Sequence, residues 1–346
     1  MRDSKSKKIL EFIKENPLVS SKQIYDEVQL NVGYATVKRI LTKFLSENLI
    51  TSEGKGKGTK YKVSVGFELL NPVLLSQYFE KEVDEREIKS SYNFSLIKEV
   101  LSTVTLFNAE ELHHLTNLQE TFRRKSLELT EALYKREMER LAIDLSWKSS
   151  QIEGNTYSLL ETERLLKEKE TAQGKTKDEA IMLLNHKEAL DFIINNPDYI
   201  EPLTIARIED IHSILIKELG VDRNIRRSRV GISGTNYKPL DNEYQIKEAI
   251  EEMCELINHR KPVFEKALLL LLLLSYIQPF SDGNKRTARI VSNAILIQNE
   301  YCPISFRTVD SIEYKKALLL FYEQNNITAF KEIFINQFEF AVKTYF

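Results

Sequence analysis

Cysteine is almost absent. Cys254 and Cys302 are the only two in 346 residues, too few for a disulfide framework, which fits a reducing, cytoplasmic setting. No charge of one sign dominates. Lys+Arg number 49 against Asp+Glu 51, which excludes a uniformly basic coat for nucleic acid but allows local asymmetry. No apolar run is long enough to span a bilayer. The longest, "ALLLLLLLSYI" at 267–277, is bounded by Glu265 and Lys266 before it and by Gln278, Pro279 and Asp282 after it, whereas a span needs about 20 residues. No membrane role is therefore expected. Apolar on every face, the run reads as the central helix of a bundle. The opening "MRDSKSKKILEFIKENP" has no apolar stretch followed by small residues and does not read as a signal peptide. Proline and glycine are scarce after Asn108, so helix is predicted from there to the end.

What is present suffices for more than one domain, since 42% of the chain is hydrophobic. Residues 1–63 read as a first unit. Ile9, Phe12 and Ile13 share one helical face before Pro17. A short Ser-capped helix follows in "SSKQIYDEVQL". A third helix carries Val37, Ile40, Leu41 and Phe44 at core spacing. "TSEGKGKGTKYKVS" then has hairpin chemistry. This order resembles a winged helix-turn-helix domain. Through Lys62 there are 13 Lys+Arg and 7 Asp+Glu, a net +6 that leaves −8 for the remainder. Lys38, Arg39 and Lys43 on the third helix, with Lys55, Lys57 and Lys60 on the hairpin, stand where a major groove and its phosphates would be met. A solvated basic face, or a surface for protein contact or homodimer formation, is the competing reading.

Residues 64–107 read as a connector. Within the helical remainder, 108–346, "RRSRVGISGTNYKPLDNEYQ" at 226–245 reads as one hairpin. The stretch "IQPFSDGNKRTAR", 277–289, carries the chemistry. An apolar helix ends, Gly283 permits a tight turn, and a new helix offers its N–H groups and positive dipole end to an anion. Arg286 and Arg289 share a face of that helix and suit an oxygen-rich ligand. Asp282 is a hard carboxylate beside the anion, as Mg²⁺ usually requires. Each piece alone is ordinary; the combination is not.

"QPFSDGNKRTAR" resembles the signature of the Fic (Fido) family, His-Pro-Phe-x-Asp/Glu-Gly-Asn-Gly/Lys-Arg-x-x-Arg, at every position except the first. "VGISGTNYKP" resembles the family's target-binding flap, with Gly231, Ile232, Ser233, Gly234 and Tyr237. "SSQIEG" at 149–154 resembles its inhibitory motif, with Ser149 and Glu153 at the end of a helix expected over about 136–154. The resemblance implies a mainly α Fic-type bundle with a β-hairpin flap. It also implies AMP transfer from ATP, with Mg²⁺, to a Ser, Thr or Tyr hydroxyl of a target protein. By position, Asp282 binds the metal, Gly283, Asn284 and the Lys285 amide cradle the nucleotide's phosphates, and Arg286 and Arg289 hold its phosphate tail. Glu153 pairs with Arg289 in the off state, oriented by Ser149. Gln278 replaces the general base, and Lys285 is shared with the phosphorylating branch of the family. The expectation is therefore an impaired adenylyltransferase. The alternatives are a DNA-binding regulator with a nucleotide-sensing Fic domain, phosphate transfer, or AMP removal.

Overall fold

The computed structural model describes residues 4–28 and 30–346, and the side chain of Lys57 lies outside the described residues. The first unit forms from the periodicities that predict it. Helix α1 (Ser4–Glu15) buries Ile9, Leu10 and Ile13. Strand β1 (Val19–Ser20) leads into α2 (Ser21–Glu27), which starts at a reciprocal Ser20–Gln23 capping box. Helix α3 (Tyr34–Ser46) buries Val37, Ile40, Leu41 and Phe44. Strands β2 (Ile50–Glu53) and β3 (Lys60–Val63) pair antiparallel, Thr51 opposite Lys62, and β1 joins the free edge of β3.

The segment 64–107 is not a loose tether. It contains α4 (Phe67–Leu70), α5 (Leu75–Tyr78) and a π-helical stretch, Leu96–Leu101. It is bonded to the helical body along its length. Buried Glu265 accepts from Leu106 N at 2.8 Å and pairs with Arg260 at 2.6 Å, and Arg260 in turn donates to the Leu101 carbonyl at 2.8 Å. Lys89 N donates to the Glu323 carbonyl at 2.8 Å.

The body comprises α6 (Ala109–Glu128), α7 (Glu131–Ile152), α8 (Leu159–Glu168), α9 (Lys177–Asn195), α10 (Ile205–Leu215), α11 (Glu243–His259), α12 (Val263–Ile277), α13 (Asn284–Gln298), α14 (Ser311–Gln324) and α15 (Thr328–Tyr345). The largely apolar α12 is buried almost throughout and packs against α11, α13 and α14. Among the described residues no helix is long and apolar enough to cross a membrane. The architecture is mainly helical, with one small antiparallel sheet.

One element differs from expectation. Among the described residues, 226–245 forms no ladder with itself. Lys238 instead makes a parallel bridge to Ser91 of the connector, and its N–H donates to the Ser90 carbonyl at 3.0 Å. The chain reverses at Gly234, which takes φ +84°. Hairpin-like composition is met here by a single bridge to a segment distant in sequence.

Candidate active site

The helix α12 ends at Gln278, which adopts a left-handed conformation, φ 52° and ψ 57°. Histidine tolerates this region better than most side chains. Both ends of the Gln278 amide are occupied. Nε2 donates to the Ser275 carbonyl at 2.6 Å, and Oε1 accepts from Asn284 Nδ2 at 3.0 Å. Asn284 also closes the turn on itself, accepting from Phe280 N and donating to the Phe280 carbonyl, each at 2.8 Å. Its side chain therefore shapes the loop.

Gly283 is the N-cap of α13 with φ +78°. A Cβ there would lie 3.1 Å from His212 Cε1 and 3.3 Å from Ile216 Cγ2, so both conformation and space select glycine. His212 stacks on Phe280, with ring centroids 3.7 Å apart and planes 6° apart, and its Nδ1 meets Thr287 Oγ1 at 3.0 Å. Burial, reinforced by the nearby Arg286 charge against the opposing effects of Asp222 and Asp282, lowers its pKa to about 4. The turn thus rests on a neutral imidazole.

Arg286 and Arg289 are both buried. Arg286 Nη2 donates to Asp282 Oδ2 at 3.1 Å, and Asp282 is otherwise largely exposed. Among the described residues no group of three or more His, Cys, Asp or Glu side chains converges on a metal-sized site. A divalent ion here would rest on Asp282 and on ligand oxygens, the usual manner of Mg²⁺ with phosphates.

Arg289 is engaged through Nε and Nη2 by the end of α7. Its Nε donates to Ser149 Oγ at 2.8 Å and its Nη2 to the Ser149 carbonyl at 3.1 Å. Nη2 also reaches Glu153 Oε1 at 2.7 Å. Tyr314 lies against the guanidinium, 5.4 Å from ring centroid to Cζ. Glu153 Oε2 receives Lys285 Nζ at 3.1 Å. Burial alone would raise the Glu153 pKa, but Arg289 and Lys285 outweigh it and hold the carboxyl down at about 2.

The structure therefore brings Ser149, Glu153, Gln278, Asp282, Gly283, Asn284, Lys285, Arg286 and Arg289 into one site. Of the flap residues, Tyr237 is buried, Ile232 is half-buried, and Gly231, Ser233 and Gly234 are exposed. Lys38, Arg39, Lys43, Lys55 and Lys60 are exposed on the first unit.

Two contributors were not anticipated. The Lys285 side chain, expected to matter through its backbone amide, is the second cation on Glu153. Arg226, only 4% exposed, ties the base of the flap to the site. Its Nε donates to the Gln278 carbonyl at 2.7 Å and its Nη1 to the Ser228 carbonyl at 2.8 Å; Nη2 reaches the Leu240 carbonyl. The "RRSR" cluster is the one sequence signal that pointed there.

The pattern of the Fic/DOC family matches residues 202–296, the span that holds this loop and flap. This is a Fic-domain protein. It is related to protein adenylyltransferases. The chain is 28% identical over 268 residues to protein adenylyltransferase Fic of Nematostella vectensis, covering 72% of this chain and 62% of that one. It is 31% identical over 109 residues to a probable protein adenylyltransferase of Aquifex aeolicus, covering 31% and 34% of the two chains. The Fic-domain chain thus spans about six-tenths of the sea-anemone relative and about a third of the Aquifex one. Its fold is that of Caenorhabditis elegans Fic-1, residues 134–508, with TM-score 0.60 and 21% identity over 68% of this chain and 72% of that one. A Fic family protein from Desulfovibrio desulfuricans superposes with TM-score 0.57 and 19% identity, over 69% and 74%.

Proposed function

We propose that this Fic domain is an AMP-transfer device, using ATP and Mg²⁺ on a Ser, Thr or Tyr hydroxyl of a target protein. In this reading Glu153 holds it off and Gln278 limits the chemical step. The observation that carries the reading is the double engagement of Glu153 by Arg289 and Lys285. Two buried or half-buried cations converge beside a helix N-terminus and a left-handed glycine, an arrangement that favours anions. An internal carboxylate fills that place. A γ-phosphate would compete for the same guanidinium, so the nucleotide binds productively only when Glu153 leaves.

Each residue then has a task. Arg286 and Arg289 bind the phosphate tail, Asn284 keeps the turn shaped, and Asp282 carries the metal, which would neutralise phosphate charge when bound. Arg226 fixes the flap against the loop. The attacking hydroxyl must lose a proton, and Gln278 accepts none near pH 7, since its amide has no basic site and both ends are hydrogen-bonded. Losing a general base costs roughly 10²–10⁴ in rate. In the engaged state Glu153 is no substitute, because a carboxyl held at about 2 is a weak proton acceptor. That disfavours AMP removal through Glu153.

A second reading is supported by the exposed Lys38, Arg39 and Lys43 on α3 and by Lys55 and Lys60 on the strand pair. Residues 1–63 would then be a winged helix on double-stranded DNA, and the Fic domain a nucleotide sensor working in the cytoplasm. The two readings separate on one variant pair, Gln278→His with Glu153→Gly. Transfer of labelled AMP from α-labelled ATP to any protein supports the enzyme. No labelling, together with DNA binding by both forms, supports the regulator.

A further inference from the structure

We propose that Arg86 of the connector is a positioning residue for the flap: it holds the return segment, 235–238, so that the preceding stretch, 229–233, stays open to a target segment. The proposal rests on the flap's target-binding role in the transfer reading, but its geometry stands independently. The Arg86 side chain is 4% exposed. Its Nη1 lies 3.3 Å from Oε1 of Glu323, which is wholly buried on α14. Its Nη2 donates to the Gly234 carbonyl at 2.7 Å, at the tip where the flap reverses. Phe79 packs beneath the guanidinium, 4.8 Å from ring centroid to Cζ, and the Tyr78 hydroxyl donates to Glu323 Oε2 at 2.7 Å. The ion pair and the ring beneath it aim Nη2 at the flap tip. Buried Nε and Nη1 of Arg86 and Oε1 of Glu323 have no hydrogen-bond partner among the described residues, so Nη1 and Oε1 attract through charge alone.

Three further contacts extend the clamp along the same segment. Asn236 Nδ2 donates to Asp84 Oδ1 at 2.9 Å, Lys238 N donates to the Ser90 carbonyl at 3.0 Å, and Ser91 bridges Lys238 in parallel. The return segment thus already has a partner, supplied by the connector. A strand-adding target therefore has the 229–233 edge available rather than the 235–238 edge.

The clamp also reaches the reacting position. Tyr92 of the connector stacks on Tyr276 at 5.0 Å, and Tyr237 of the flap stacks on the same ring at 4.8 Å. Asn93 N donates to Tyr276 Oη at 2.9 Å, and Tyr237 Oη donates to the Tyr276 carbonyl at 3.1 Å. Tyr276 is two residues before Gln278. Connector, flap and motif loop are therefore one packed unit.

The test uses the full chain carrying Gln278→His and Glu153→Gly, with Arg86→Ala or Asp84→Ala added. Asp84 is exposed, so its loss leaves the buried pair intact and guards against a folding failure of Arg86→Ala. Hydrogen exchange of amides 229–238, affinity for ATP·Mg²⁺, and labelling of lysate protein from α-labelled ATP are measured. We expect at least tenfold faster flap exchange in Arg86→Ala, a smaller gain in Asp84→Ala, unchanged ATP affinity, and at least a tenfold fall in labelling at saturating ATP. Unchanged flap exchange in both variants overturns the clamp. Faster exchange with undiminished labelling also overturns it, because the segment would then be held but not needed. If the parent labels nothing, the transfer reading fails, and flap exchange alone still decides whether Arg86 positions the segment.

Discussion

Glu153 Oε1 sits 2.7 Å from Arg289 Nη2, and the guanidinium it meets is wholly buried. A carboxylate so placed has two opposite effects. It satisfies a buried cation, and it denies that cation to any other anion. Glu153→Gly should therefore raise ATP·Mg²⁺ affinity by tenfold or more while lowering the stability of the empty protein. Removing one partner of a buried pair costs about 3–5 kcal/mol. The Ser149 bonds to Arg289 remain, so the low end is expected. Saturating ATP should restore much of this by mass action. Calorimetry and thermal unfolding with and without ATP check both signs. Equal ATP affinity in the two forms would end the inhibitory role.

The pH dependence of that contact follows from its sign. A carboxyl depressed in the folded state stabilises fully above its unfolded pKa, near 4.3, and the contribution is lost as pH falls through about 2. The lock should therefore hold throughout the neutral range. His212 behaves differently. Its folded pKa is lowered to about 4 from an unfolded value near 6.5. Between those values the unfolded chain binds more protons. Stability is complete above about 6.5 and declines as pH falls towards about 4, by roughly 3 kcal/mol in total. His212→Gln should be less stable at pH 7 and should show a flatter slope over that window in urea unfolding. Parallel slopes for parent and variant would remove His212 from the account.

Much of this site was legible because it is local. The turn, its glycine and the two arginines lie within 13 consecutive residues, 277–289, directly after the apolar helix, and α12 is buried as its composition requires. Glu153 was legible only through the "SSQIEG" resemblance, since no spacing links it to Arg289. The rest was hidden by distance along the chain. Arg86 is one charge in a charge-rich stretch and Glu323 follows an apolar run near the end of α14, and nothing local says that they meet. The flap's glycines, asparagine and β-prone residues fit a hairpin, but pairing of Lys238 with Ser91 is a long-range choice that composition does not encode. The Lys285 side chain was overlooked because its backbone amide alone explained its place in the motif.

The first unit gives a separate test. Lys55 and Lys60 are exposed on either side of the turn between β2 and β3, whereas Lys62 pairs with Glu53 across the strands. If this edge meets phosphates, replacing Lys55, Lys57 and Lys60 by alanine should reduce the slope of log K against log[salt] by ~0.9 per lost contact on duplex DNA. Lys62→Ala should change it less, because its charge is already shared with Glu53. Titrations at several salt concentrations measure both. An unchanged slope in the triple variant, or no binding at low salt, would assign this surface to protein contact.

The last prediction concerns position 278. Restoring histidine supplies a proton acceptor at a left-handed residue whose carbonyl is pinned by Arg226 and whose neighbour Asn284 holds the turn. In the transfer reading the nucleotide contacts lie elsewhere, on Arg286, Arg289 and the start of α13. Gln278→His should therefore change ATP affinity little and raise turnover by ~10²-fold or more. The gain should be greater with Glu153→Gly, which frees Arg289. The rate should climb with pH through the imidazole pKa, near 6.5 if unperturbed, because only the neutral ring accepts the hydroxyl proton. Losing the Asn284 contact to the Gln278 amide is a small opposing cost, since Asn284 keeps two bonds to Phe280. Single-turnover labelling across pH 5–8 measures the effect. A rate that stays at background in the double variant would show that the base at 278 does not limit transfer, and the transferase reading would fall with it.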